Sequence, residues 1–191
     1  MKKNIVSIFA GHDSNISFYN SKKNSYHVIE LERLLKKRYF RLHVDNNTDE
    51  IKKILLSAKK IAYDFWGIEN SYEAILIGSD GWIKPKSILK EVFGEAKVLT
   101  KANHHMCHAA SALYQTDFKD SLLISFDGGG DDGFFNIFNV SNKQIKHLQR
   151  IKVDFGGAYL IFSSLIREVT EKSKHQLALS GKLMGLCAYG Q

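Results

Sequence analysis

Proline is almost missing from this chain, with Pro85 alone among 191 residues, and cysteine is scarce, with only Cys107 and Cys187. The two cysteines follow no disulfide or zinc-finger spacing, which argues against a stapled scaffold or a cysteine-built zinc module. Long apolar runs are missing too. The stretch 5–10 is too short for a secretory or membrane-spanning segment, and no small-residue cleavage site follows it. A reducing, cytoplasmic setting with no membrane partner is therefore expected. The chain carries a formal charge of +7. Its lysines are scattered over expected helix faces and turns, with no basic stripe interleaved with aromatics, so nucleic-acid binding is not expected. What is present is an ordinary globular balance, 44% hydrophobic and 25% charged, enough for a real core.

Patterning divides the chain into two similar runs. Residues 4–10, 15–19 and 26–31 read as strands, with a sharp turn at Gly11-His12-Asp13 and a polar hairpin loop at 20–25. Residues 32–41 read as a short helix or ordered loop. Thr48 or Asp49 is expected to cap a long amphipathic helix whose apolar face carries Ile51, Ile54, Leu55, Ala58, Ile61, Ala62 and Phe65, ended by Gly67. A strand at 73–78, a short helix opened by Pro85 and ending near Gly94, a strand at 97–100 and a helix at 104–115 follow. The pattern then restarts. A strand at 122–126 runs into the turn Asp127-Gly128-Gly129-Gly130-Asp131-Asp132-Gly133, followed by strands at 134–140 and 144–151 and an amphipathic helix at 158–170.

The second run repeats the order strand, glycine-and-aspartate turn, strand, hairpin, strand, and Phe9-Ala10-Gly11 matches Phe126-Asp127-Gly128. A repeat of this length implies a duplicated subdomain. Antiparallel strands followed by strands alternating with helices imply an α/β fold of mixed sheets with flanking helices. The plan resembles the actin, sugar-kinase and heat-shock ATPase architecture. It divides into a first lobe over 1–118 and the start of a second over 119–191, the second incomplete. The final run from Gly181 reads as the middle of a site with no terminal helix after it, which suggests a truncated chain.

Asn103-His104-His105-Met106-Cys107-His108 carries the sharpest chemistry. His104 and His108, four apart on a helix, share one face and can hold one metal ion, while His105 points about a quarter turn away. Two ligands do not complete a site, since catalytic sites usually have about three protein ligands. No Glu follows His104, which disfavours a metalloprotease. In the glycine turn after Phe126, backbone N–H groups can approach an anion, and the three aspartates make sense if they orient a cation, a water or nucleotide hydroxyls. A plain β-turn is the bland alternative. His12 in the equivalent first turn is a candidate general base. Glu30-Leu31-Glu32-Arg33 with Lys36-Lys37-Arg38 reads as a solvated charge cluster or an anion site.

Together these motifs, with Gly11-His12-Asp13-Ser14 at the start and Gly181-Lys182-Leu183-Met184-Gly185-Leu186-Cys187-Ala188-Tyr189-Gly190 at the end, resemble the N-terminal, actin-like domain of the O-carbamoyltransferases that modify nodulation factors and antibiotics. The resemblance implies transfer of a carbamoyl group from carbamoyl adenylate to a hydroxyl of a small-molecule acceptor. Carbamoyl phosphate and ATP would supply the adenylate through a separate adenylate-forming domain. It further implies that His104 and His108 bind an iron-type divalent metal. Asp127, Gly128 and Gly129 would contact the adenylate, His12 would deprotonate the acceptor, and Lys37 or Arg38 would reach the nucleotide or acceptor. The family's third metal ligand is an aspartate beyond residue 191. Cys187 and Ala188 stand where the family usually has alanine and proline, implying a looser turn. The competing readings are a tRNA threonylcarbamoyl-transferring enzyme, which also uses a spaced histidine pair, an actin-like small-molecule kinase, and an inactive remnant.

Overall fold

The fold comes from a computed structural model, which describes residues 4–43, 46–78, 87–171 and 175–190. Pro85 lies outside these. The chain forms two compact units, Met1–Ala102 and Asn103–Gln191. The expected division after residue 118 assigned the histidine helix to the first lobe. That helix instead packs on strands of the second unit, so the division falls before it.

The first unit is built on strands β1 (Asn4–Phe9), β2 (Asn15–Asn20), β3 (Ser25–Glu30), β4 (Tyr72–Gly78) and β5 (Lys97–Ala102), in the order β3-β2-β1-β4-β5. β2 is antiparallel to both of its neighbours, while β4 runs parallel to β1 and β5 parallel to β4. This mixed order, with helices between the strands, makes an α/β unit. Register follows from the apolar alternation: Val6 pairs with Phe18 and Ile75, and Ile8 with Ile16 and Ile77, all on one face. A slip of one residue would turn that whole set to the other face.

Between the strands lie helices α1 (Leu31–Leu35), α2 (Thr48–Trp66) and α3 (Ser87–Phe93). α2 lays Ile51, Leu55, Ala58 and Ala62 into the same core cluster, and α3 adds Ile88, Leu89, Val92 and Phe93. The cap of α2 is one residue earlier than expected. Asn47 accepts the N–H of Glu50, and the Glu50 carboxylate accepts the N–H of Asn47, a reciprocal capping box. Gly67 ends the helix in the left-handed region, as expected. Phe65 is not on the buried face; it is 79% exposed, and its neighbour Trp66 packs against the core instead, stacked on His27.

Among the described residues one core group is unsatisfied. The hydroxyl of Tyr72 is buried without a hydrogen-bond partner, its ring edge-on to Phe93. Burial pushes its phenol up to about 12. Tyr72→Phe removes the orphaned oxygen and should raise stability by about 1 kcal/mol in chemical denaturation. The wild-type chain should also lose stability above pH 10. The unfolded phenol releases its proton near the ordinary value of 10.0 while the folded one keeps it, so the unfolded state binds fewer protons until about pH 12. The Phe variant should lack that component of the alkaline decline.

The second unit contains a three-stranded antiparallel sheet of β6 (Ser121–Gly130), β7 (Gly133–Ser141) and β8 (Gln144–Ile151), in sequence order. Its helices are α4 (His104–Tyr114), α5 (Phe155–Leu165), α6 (Arg167–Thr170) and α7 (Gln176–Leu186), followed by a 3-10 turn at Cys187–Tyr189. Three expectations change here. The glycine run is not a loop after a short strand; β6 continues through it to Gly130, and only Asp131 and Asp132 make the turn. The expected helix at 158–170 starts at Phe155 and breaks at Ile166, which is extended. The hydroxyls of Ser163 and Ser164 donate to the carbonyls three residues back, competing with the helix ladder just before the break. α5 is also not amphipathic, since Ser163 is buried while Ile161, Phe162 and Leu165 face outward. Finally, much of the run from Gly181 is helix α7. Among the described residues no helix is long and apolar enough to cross a membrane.

Candidate metal centre

α4 and β6 bring three side chains to one point. His104 and His108 sit one turn apart on α4, their rings 4.7 Å between centroids. Their Nε2 atoms approach to 3.1 Å. Asp127, on β6, places Oδ2 at 2.8 Å from Nε2 of His104 and 3.3 Å from Nε2 of His108. A divalent ion about 2.1 Å from each of three mutually cis donors would hold them about 3 Å apart. The spacings of this trio match that figure. Two imidazoles and one carboxylate on one face of an ion form the facial set that suits iron(II) and leaves further positions open. His108 and Asp127 are both substantially exposed, so the remaining side is accessible.

The surroundings prepare the trio for a cation. Burial pushes the Asp127 carboxyl up, but this is outweighed. The hydrogen bond with His104, the backbone N–H of Gly128 and the charges of His104 and His108 bring it below the ordinary carboxylate value. Gly128 N–H donates to Oδ1 at 2.6 Å, which aims Oδ2 at the histidines. Close approach of strand and helix depends on glycine: a Cβ on Gly130 would stand 2.6 Å from Cβ of His104. The other two aspartates of the turn do not point at the trio's donor atoms. Asp131 Oδ1 accepts the N–H of His104 at 2.8 Å, and the Asp132 carboxylate accepts that of His105 at 3.1 and 3.2 Å.

Asp127 and Gly128 also line a cavity of about 600 Å³, whose walls are Phe126 and residues of α5 and α7, including Phe155, Gly156, Tyr159 and Met184. Gly156 meets Gly128 backbone to backbone, and a Cβ on Gly156 would fall 2.3 Å from Cα of Gly128. This contact seats the N-terminus of α5 on β6.

Sequence reasoning brought His104 and His108 together correctly. Asp127 and Gly128, expected to contact the adenylate, line this cavity. Gly129 is not among the lining residues; it faces the Phe134 ring. The expectation did not anticipate that the Asp127 carboxylate faces both histidines. The signal available was its place at the end of an apolar strand, next to a run of glycines. His12 lies in the first unit, at the β1–β2 turn, with Nδ1 2.9 Å from Oδ2 of Asp13. In the same unit the Lys37 ammonium sits 5.3 Å from the Phe40 ring centre, and the Arg38 guanidinium the same distance from that of Tyr39. Arg33 pairs with Glu30, and Glu32 accepts the N–H of Phe40, so much of this charge cluster organises its own loop. Despite the missing proline, the turn at Cys187 is closed by Gly190 N–H donating to its carbonyl.

Comparison with known proteins adds a family. No curated protein matches the chain. Among solved structures it is similar to YeaZ from Pseudomonas aeruginosa, at 7% identity and a TM-score of 0.45, the match covering 78% of this chain and 65% of YeaZ. The family model described as the carbamoyltransferase N-terminus matches residues 30–191, from Glu30 through the histidine helix and the glycine strand to the last residue. The histidine pair, the aspartate facing it and the glycine-lined cavity all fall within that match, and the chain belongs to the carbamoyltransferase family through its N-terminal domain.

Proposed function

We propose that this chain transfers a carbamoyl group from carbamoyl adenylate to a hydroxyl of a small-molecule acceptor, assisted by an iron-type divalent metal. The observation that carries this reading is the convergence of His104, His108 and Asp127 beside a cavity, in a chain of this family. The adenylate would be made from carbamoyl phosphate and ATP by a separate adenylate-forming domain, in the cytoplasm.

His104, His108 and Asp127 would hold a divalent ion, which would supply Lewis acidity toward a carbonyl oxygen. The chain's own groups do the rest. His104 and His108 offer their Nε2 atoms, and Asp127 offers a carboxylate oxygen. Phe126, Phe155, Tyr159 and Met184 give the cavity apolar walls suited to a nucleoside, and the backbone at Gly128 and Gly156 lets its phosphate approach closely. Lys37 adds positive charge for the nucleotide or the acceptor. The family resemblance offers His12, whose Nδ1 lies 2.9 Å from Oδ2 of Asp13, as the base. The acceptor oxygen bonds to the carbamoyl carbon, its proton passes to the base, and the bond from that carbon to the phosphate oxygen breaks, releasing AMP.

The test supplies the chain with carbamoyl phosphate, ATP and an adenylate-forming domain in trans, together with oligosaccharide and antibiotic acceptors. Mass spectrometry should find an acceptor heavier by one carbamoyl group, and His108→Ala should remove the product. Product formation unaffected by His108→Ala would overturn the assignment.

A further inference from the structure

His104 is the first residue of α4, in the turn where helices fray and N–H groups lack intrahelical partners. The preceding residue, Asn103, makes no side-chain cap. A metal ligand in such a turn needs its backbone held from elsewhere. Here the hold comes from the tip of the β6–β7 hairpin. Asp131 takes the N–H of His104, and Asp132 takes that of His105. Both carboxylates also face the positive end of the helix dipole.

The hairpin tip is fixed in turn. Asp132 is buried, and its carbonyl accepts Nδ2–H of buried Asn136 at 3.0 Å. Oδ1 of Asn136 is 2.9 Å from Nε2 of His147, on β8. His105, fully buried, sets its own Nε2 2.9 Å from the Gly133 carbonyl. The first turn of α4 and the hairpin tip therefore interlock. Asp127 belongs to the same strand that leads into the tip.

We propose that Asp131 and Asp132 are positioning residues, clamping the start of α4 so that His104 and His108 face Asp127 at metal-binding separation. This rests on the metal reading above. The aspartates do not touch the ion. They act through the backbone of the histidine helix.

The test is cobalt(II) titration of the 191-residue chain, followed by visible absorption, which reports both affinity and ligand geometry. Asp132→Ala should weaken cobalt binding about 10- to 100-fold, as loss of groups behind metal ligands does, and alter the spectrum. Asp132→Asn keeps an oxygen acceptor and should stay within about threefold of wild type, with an unaltered spectrum. Asp131→Ala, at an exposed position, should weaken binding about tenfold. An Asp132→Ala protein that binds cobalt like wild type would overturn the clamp and leave the histidine–aspartate trio standing. A wild-type chain that binds no cobalt would remove the trio and the clamp with it. If Asp132→Ala does not fold, Asp131→Ala decides, and unchanged affinity and spectrum there overturn the clamp.

Discussion

Asp127→Ala should reduce divalent-metal affinity by at least about 100-fold and carbamoyl transfer by a similar factor, while the chain remains folded. The magnitude follows from its position. Its Oδ2 is the atom that faces both imidazoles, and removing it leaves two donors where three converge. Changes in groups behind a ligand already cost about 10- to 100-fold, so loss of a ligand sets the upper part of that range as a floor. Folding should survive because the side chain is substantially exposed and its bonds run to residues of the same site. Asp127→Asn separates charge from geometry. It keeps an oxygen for Gly128 N–H but offers the ion a neutral donor, so it should fall between wild type and Ala. Calorimetric titration with cobalt(II) or iron(II), paired with the transfer assay, checks both. An Asp127→Ala protein with wild-type metal affinity would leave the histidines as ligands and strike the carboxylate from the site.

The largest stability effect is expected at Gly156. Its substitution by alanine puts a methyl group 2.3 Å from Cα and 2.4 Å from N of Gly128, both backbone atoms that cannot rotate aside. Overpacking that flexible side chains can absorb costs about 1–3 kcal/mol; this collision has to move α5 off β6 and should cost about 3 kcal/mol or more. It should also weaken metal binding, because Gly128 N–H aims the Asp127 carboxylate. Gly181→Ala is the matched control. A Cβ there meets nothing within 4 Å, and Gly181 lies within α7. That change should stabilise by about 0.5–1 kcal/mol through helix propensity and the entropy of the unfolded chain. Thermal melts with parallel cobalt titrations distinguish the cases. Equal melting temperatures for Gly156→Ala and wild type would mean that the backbone contact of α5 with β6 does not exist in solution.

Much of the first unit was legible because its information is local. β1 and β2 alternate apolar and polar residues, so their buried faces, and with them the pairing of Val6 with Phe18, could be read from period alone. α2 announced its length through its apolar stripe and Gly67. Its start was misplaced by one residue because Asn47, Thr48 and Asp49 are all good capping types, and only the Glu50 carboxylate returning to the Asn47 N–H selects among them. Phe65 misled because it continues the stripe on paper, while Trp66 is the residue that reaches the core.

The second unit hid more. Ser163 inside an apolar run gave no warning that its hydroxyl and that of Ser164 would bond backward and help end α5. The glycines and serine of α7 blur helical periodicity, so its residues looked like a loop-borne site.

The chain's one-dimensional pattern was enough to determine a duplicated strand meander, a mixed α/β fold and a histidine pair on one helix face, since each depends on neighbours a few residues apart and on fixed periods of 2 and 3.6. Tertiary structure alone decided which carboxylate faces the pair. Asp127, Asp131 and Asp132 are similar residues close together in sequence, yet the first faces the imidazoles and the others hold the helix backbone. The strand's pleat, its extension through three glycines and the close approach permitted at Gly130 assign those roles, and these are relations between residues 19 to 27 apart in sequence.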